Sequence, residues 1–289
     1  MLTIFALPKP FRGHFNIIQR NAIQSWMRLS PRCEIILVGD EEGTREVAAE
    51  LGLRHLPKVD RNEHGTPLLD SVFAASGKAA TYPHLCYVNS DIILMNDFLP
   101  AVQYVLGELR EFLLVGRRWD LDVTEPLPFD DGWETRLKVW VKAKGRLRPH
   151  GAIDYFVFPR GLWTDIPPFA IGRTIWDQWL IYSAVSHGAP VVDLTQRVMI
   201  VHQNHSYATA GGLEAIEKSP EGRRNLELAG GYSHACNLWD AQYKLTRRGI
   251  RRRRSPYVFY RELVKLSDRN AFALSVFKIV RVAIEAARR

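Results

Sequence analysis

Short apolar runs, each stopped by proline, glycine or a small polar residue and each followed by a stretch of helical spacing, recur through the first third of this chain. That alternation confines it to an α/β architecture with a largely parallel sheet. Residues 2–7 form the first run and close at Pro8 and Pro10; Ile17, Ile18, Ala22, Ile23, Trp26 and Leu29 then line one helical face. Residues 34–38 repeat the run, stopped by Gly39 and Asp40, and residues 44–51 read as a helix ending at Gly52. A third unit is a helical stretch over 66–75 leading to a strand over 85–88, which ends in Asn89, Ser90 and Asp91. Residues 112–115, 155–158 and 191–193 are further strands, and a Trp-rich helix over 174–185 lies between the last two, so the sheet is expected to become mixed. In open α/β sheets ligands bind beyond the carboxyl ends of the strands, which makes Pro8, Asp40 and Asn89 to Asp91 converge on one crevice. Residues 117–150 show no clear period and read as a mobile flap over that crevice.

At 289 residues the chain suits one large domain, or one domain with an appendage. Its 46% hydrophobic and 24% charged residues exclude fibrous and wholly disordered classes. Cys33, Cys86 and Cys236 are its only cysteines and none sits in a C-x-x-C pair, so neither a disulfide framework nor a cysteine-ligated zinc site is expected, and a reducing, cytoplasmic setting is the default. The amino-terminal MLTIFALPKPF has no basic segment and too short an apolar run for a signal peptide or a membrane span; it reads as a core strand. G-x-G-x-x-G, G-x-x-x-x-G-K-[ST] and G-x-S-x-G are all missing, which removes support for dehydrogenase, P-loop and α/β-hydrolase readings.

Four places carry candidate chemistry. Asn89-Ser90-Asp91 puts an amide and a carboxylate at a strand end, either to meet a divalent cation and a diphosphate or simply to cap the turn. After an apolar run over 198–201 come His202 and His205, competent ligands for Mn²⁺ or Zn²⁺ or else hydrogen-bonded loop histidines. Trp176-Asp177-Gln178-Trp179 sets a carboxylate between indoles early in an apolar helix. Such shielding raises a carboxyl pKa toward that of a general base, although an Asp there also satisfies a helix amino terminus. Asp154, beside Gly151, suits a sugar hydroxyl or a loop end.

The combination resembles the nucleotide-sugar-dependent glycosyltransferases of the GT-A fold, over about residues 3–245. The family's DXD motif looks like Asn89-Ser90-Asp91, its later acidic motif like Trp176-Asp177-Gln178, and its carboxyl-terminal metal-binding histidine like His202 or His205. GDEEG, RNEHGTPLLDSVF, YVNSDIIL, GAIDYFVFPR, IGRTIWDQWLI and VHQNHSY add to the likeness. The departures are Asn89 at the first DXD position and Gln178 after Asp177. The resemblance implies a mixed, mostly parallel sheet flanked by helices, with Mn²⁺ or Mg²⁺ as cofactor. It implies Asp91 with His202 or His205 as metal ligands and Asn89 and Ser90 near the donor. Pro8 and Asp40 would lie at the nucleoside, Arg117 or Arg118 at the phosphates, Asp177 would act as the base, and Asp154 and Trp176 would face the acceptor. The donor would be a UDP-, GDP- or dTDP-sugar, the acceptor a glycan or lipid-linked hydroxyl, and the outcome inversion at the anomeric carbon.

Net charge is +8, but residues 244–289 hold 14 Lys and Arg against Glu262, Asp268 and Glu285, leaving residues 1–243 slightly acidic. The reading therefore divides the chain into a body, 1–243, and a basic amphipathic helical tail, 244–289, with helices capped at Ser255-Pro256 and Ser267. Such a tail suits an anionic membrane surface, a docked helix or, with no accompanying motif, nucleic acid. Two alternatives to a transferase remain at this point: a sugar nucleotidyltransferase of related fold, for which LPKPFRGHF is a poor phosphate loop, and a non-catalytic adaptor acting through the tail.

Overall fold

The computed structural model describes residues 1–205 and 213–253. In chain order the elements are β1 (Leu2–Ala6), α1 (Gly13–Met27), β2 (Glu34–Val38), α2 (Thr44–Leu51), β3 (Arg54–Leu56), α3 (Leu69–Ala79), β4 (His84–Val88), β5 (Ile92–Ile93) and α4 (Phe98–Glu108). They continue with β6 (Leu113–Val115), β7 (Arg118–Leu121), α5 (Trp133–Lys144), β8 (Arg146–Leu147), β9 (Tyr155–Pro159), α6 (Trp176–Ser186), β10 (Val191–Asp193), β11 (Ile200–Gln203), α7 (Leu213–Lys218), α8 (Pro220–Ala229), β12 (Tyr243–Thr246) and β13 (Gly249–Arg252).

Nine strands form the main sheet in the order β13-β12-β10-β6-β9-β4-β1-β2-β3. β1, β2, β3 and β4 run parallel, as do β6, β10 and β12, and β9 separates the two groups as an antiparallel strand. Alternate residues of each strand enter opposite cores: Ile4, Ala6, Cys86 and Val88 pack with Trp26 of α1, while Phe5, Leu85 and Tyr87 pack with α3 and α6. Both faces are dry, which is why the first strands read as unbroken apolar runs. α1 presents Ile18, Ala22, Ile23 and Trp26 to the sheet, and the Trp26 indole donates to the Ile92 carbonyl at 2.8 Å. α2 stops at Gly52, whose φ of 65° closes the helix in the left-handed region, as its sequence position predicts. At Gly39 the ends of β1 and β2 come so close that a Cβ would lie 2.8 Å from Leu7 Cδ1, and its φ is 89°.

Two sequence expectations change here. Residues 117–150 are not a structureless flap. They supply β7, α5 and β8 to a second sheet, ordered β5-β11-β7-β8, over a small core of Ile93, Leu121, Leu137, Val141 and Val201. Their irregular pattern has a physical cause, because strands of two to four residues are too short to display a period. The body also extends past Tyr243: β12 pairs parallel with β10, β13 folds back on β12, and residues 244–252 are therefore strand and turn at the sheet edge rather than helix. The helices expected near Ser255-Pro256 and Ser267 lie outside the described residues.

Candidate metal and donor site

The carboxyl ends of β1, β2 and β4 and the amino end of antiparallel β9 meet on one side of the main sheet. Asn89, Ser90 and Asp91 bridge β4 and β5 in a tight turn, in which the Ile92 N–H donates to the Asn89 carbonyl at 3.1 Å. The Asn89 N–H in turn donates to the Asp154 carbonyl at 2.9 Å. Gln19 of α1 fastens this turn to the loop after β1: its Oε1 accepts from Ser90 Oγ (2.8 Å) and from the Lys9 N–H (2.6 Å), and its Nε2 donates to the Lys9 carbonyl (2.9 Å). Pro8 is buried in the same loop.

Sheet register then delivers the histidines. β11 runs antiparallel to β5 and parallel to β7, setting His202 opposite both Ile92 and Asp120. Asp91 Oδ2 lies 3.0 Å from His205 Nε2 and 3.7 Å from His202 Nε2, and the three ligand atoms all fall within 4.8 Å of one another. His202 Nδ1 faces Asp120 Oδ1 at 3.2 Å, which puts an outer carboxylate beside the ring. Burial alone would disfavour an ionised Asp91, yet His202, His205 and Lys9 together hold its carboxyl well below the usual range. The same logic raises the His202 pKa: burial opposes its charge, and Asp91 and Asp120 outweigh that. Asp91 Oδ1 is buried with no hydrogen-bond partner among the described residues. An unsatisfied buried carboxylate oxygen beside two imidazoles is a donor set that a divalent cation completes, and mixed nitrogen and oxygen ligands suit Mn²⁺ better than Mg²⁺.

Arg118 organises the far side. Its Nη1 donates to both oxygens of Asp154 at 2.7 Å, and its Nε donates to Asp120 Oδ1 at 3.0 Å. Asn89 Nδ2 adds a bond to Asp154 Oδ1 at 2.8 Å. Burial opposes ionisation of Asp120, but His202, Arg118 and Arg148 keep its pKa lowered. The sequence reading gives Arg118 to phosphates and Asp154 to an acceptor; in the structure the two neutralise each other, at 12% and 7% side-chain exposure. Arg117 donates through Nε to the Arg148 carbonyl at 2.6 Å. Asp40 is exposed after β2 and accepts from Arg61 Nη2 at 2.5 Å.

Asp177 lies in the first turn of α6, which starts after Ile175. Ile175 has a φ of 79°, a left-handed conformation that is costly for a β-branched residue and here sets the direction of the helix entry. Trp176 is 6% exposed and packs edge-on against Tyr87 at 5.6 Å, so it is a core anchor rather than an acceptor-facing ring. Asp177 is pushed up to about 7, first by burial and then by the charge of Asp154, against opposing contributions from the Gln178 N–H and Arg118. Tyr87 ties the halves together: buried beneath the site, its phenol is raised first by burial and then by Asp91, Asp154 and Asp177.

Sequence reasoning brings Asp91, His202 and His205 to one point and misses Asp120, Gln19 and Lys9. Asp120 sits in an acidic stretch with no period, Gln19 is an ordinary helical residue by pattern, and Lys9 is one lysine in a proline-rich loop.

No family model matches the chain, and no curated protein matches it. Solved structures do. GalNAc-T7 with UDP, GalNAc and Mn²⁺ aligns over 80% of this chain and 48% of its own length, at 15% identity and a TM-score of 0.50. Glucosyl-3-phosphoglycerate synthase from Mycobacterium tuberculosis, in complex with Mn²⁺, UDP and phosphoglyceric acid, aligns over 81% and 78%, at 17% identity and a TM-score of 0.48. S. aureus TarS 1–349 with UDP-GlcNAc aligns over 79% and 70%, at 13% identity and a TM-score of 0.48. The chain has the GT-A fold.

Proposed function

We propose that this GT-A chain is a metal-dependent glycosyltransferase that moves a sugar from a nucleoside diphosphate donor to a hydroxyl of a glycan or lipid-linked acceptor. The observation that carries the reading is the meeting of Asp91, His202 and His205 in one buried cluster, at the same sheet end as a carboxylate poised near 7. Asp91, His202 and His205 would hold Mn²⁺ or Mg²⁺, and a cation there supplies charge that offsets the negative charge developing on the departing nucleoside diphosphate. Asn89 and Ser90 hold the turn that presents Asp91. Lys9, whose charge acts on Asp91, and Arg117 are the cations we assign to the donor phosphates, while Pro8 and Asp40 frame the nucleoside end of β1 and β2. Asp177 accepts the proton of the attacking acceptor hydroxyl. Asp154, paired with Arg118, puts a second carboxylate near Asp177 and adds to the rise of its pKa, which favours holding that proton. Direct displacement by that hydroxyl inverts the anomeric carbon. The donor is a UDP-, GDP- or dTDP-sugar, and we place the enzyme in the cytoplasm, reaching an anionic membrane face through residues 244–289. No helix among the described residues is long and apolar enough to cross a membrane.

Thermal unfolding with UDP, GDP, CDP and dTDP and their sugars, each with Mn²⁺ and with EDTA, tests the donor site, because a ligand of the native state raises stability by mass action. One nucleotide is expected to raise Tm only with metal, and Asp91→Asn to remove both that shift and sugar transfer while the fold persists. A metal-independent response, or full turnover in Asp91→Asn, overturns the assignment.

A further inference from the structure

At the other end of the sheet from Asp91, two adjoining clefts of about 840 and 630 Å³ lie on either side of the loop that follows β9. Both volumes are within the range of small-molecule sites. Phe158 marks the distance: it pairs with Leu85 near the start of β4, whereas Asp154, four residues earlier, sits at the metal site, so about 13 Å of extended strand separates the two. The larger cleft is a place of its own.

Its wall is aromatic. Phe73 of α3 stacks on Phe158 at 5.5 Å, and Trp163 leans on Phe158 at 4.7 Å; Trp179 continues the surface into the second cleft. Two polar atoms in the wall of the larger cleft, Trp163 Nε1 and Asp70 Oδ1, are withdrawn from bulk water and have no hydrogen-bond partner among the described residues. A donor and an acceptor left unsatisfied together carry a real penalty unless something brings them partners. The floor is Gly77, a glycine inside α3 where alanine favours the helix, and a Cβ there meets nothing within 4 Å. Charge narrows the occupant. Four carboxylates (Asp60, Asp70, Glu111, Asp165) line the clefts against three cations (Lys78, Arg110, Arg160), and Arg160 donates to the Ala80 and Tyr82 carbonyls at 2.5 and 3.0 Å. A lining so close to charge balance suits an uncharged ligand better than a phosphate or nucleotide.

The half-buried indoles of Trp163 and Trp179, backed by buried Phe73 and Phe158, can take the C–H face of a sugar ring, a carboxylate accepts from its hydroxyls, an indole N–H donates to one, and the near-neutral lining suits an uncharged ligand. From this we infer that the clefts on either side of Trp163 form a second binding site for a neutral oligosaccharide, separate from the metal and donor site. The continuation past Trp163 to Trp179 calls for more than one sugar unit. This inference stands on the cleft alone and holds whether or not the catalytic reading does.

The test is calorimetric titration of the full chain, in EDTA, with maltohexaose, cellotetraose and N,N′-diacetylchitobiose. Wild type is expected to bind at least one of them with a millimolar Kd, Asp70→Ala to weaken it about tenfold by removing the acceptor, and Gly77→Leu to block it while its unfolding temperature is kept or raised. Asp91→Asn is expected to bind the same saccharide unchanged. Absence of binding to all three saccharides overturns the inference, as does wild-type affinity in both Asp70→Ala and Gly77→Leu, or a loss that follows Asp91→Asn and so belongs to the donor site. If Gly77→Leu fails to fold, Asp70→Ala alone decides.

Discussion

Burial favours a neutral Asp177, whereas the proposed reaction needs it charged. Its carboxyl titrates near 7 in the folded chain and in the ordinary range when unfolded. Between those values the folded state binds the extra proton, so stability falls as pH rises through that window, and the ionised base is gained over the same span. Transfer is expected to rise with pH toward a plateau above about 7. Asp177→Asn should cost about 100-fold or more in kcat, yet unfold at a higher temperature than wild type at pH 8; a variant both active and less stable would contradict the role. The sequence already held this residue's chemistry, since an Asp early in an apolar, Trp-rich helix is a shielded carboxylate. It did not hold the fate of Trp176, because nothing in WDQW says which indole turns toward Tyr87. Nor did it hold the Arg118–Asp154 pair, whose members lie 36 residues apart and meet only through the placement of β7 and β9.

At the scale of elements, the legible parts are those whose burial repeats with a period. β1, β2 and β4 are five-residue strands with four apolar residues each, and α1 shows a clean face. The second sheet was illegible because its strands are short, and with it went Asp120, whose use depends on the register of β7 against β11. The β12–β13 hairpin was hidden by its composition: YKLTRRGIRRR is dominated by charge, yet Leu245 is 3% exposed and Ile250 packs on the core. This changes where the chain can be cut. Ending it at Tyr243 deletes Leu245 from the core, a loss of burial worth about 2 kcal/mol, and opens the edge of β10 to other chains. Ending it at Arg253 keeps the described sheet intact. Thermal unfolding and light scattering are expected to show a soluble, wild-type-like protein in the second case and a less stable, associating one in the first.

For the whole molecule, the cut at Arg253 separates two properties that composition alone blends. The chain as a whole is basic, while most of the fold is not, and much of the excess lies beyond Arg253. Full-length protein is expected to sediment with vesicles containing about 30% anionic lipid at low salt and to be released as ionic strength rises, since each basic residue near such a surface contributes about 1 kcal/mol and is screened beyond a Debye length. The chain ending at Arg253 is expected to stay in solution and still show its metal-dependent nucleotide shift. Loss of that shift would move the function to the tail and revive the adaptor reading.

β9 reaches both places where this molecule offers chemistry. Tyr155, at its start, follows the carboxylate paired with Arg118, and Phe158, near its end, backs the Trp163 wall. A strand hydrogen-bonded to β4 along its length and to β6 at Val157 neither stretches nor folds. It therefore acts as a ruler. No movement of loops brings the two ends closer, so any single glycan engaged at both must exceed a fixed contour length around the body. For the proposed transferase, glycan acceptors below that length would react without touching the far cleft, and those above it would be held between turnovers, a size threshold written in the spacing of one strand.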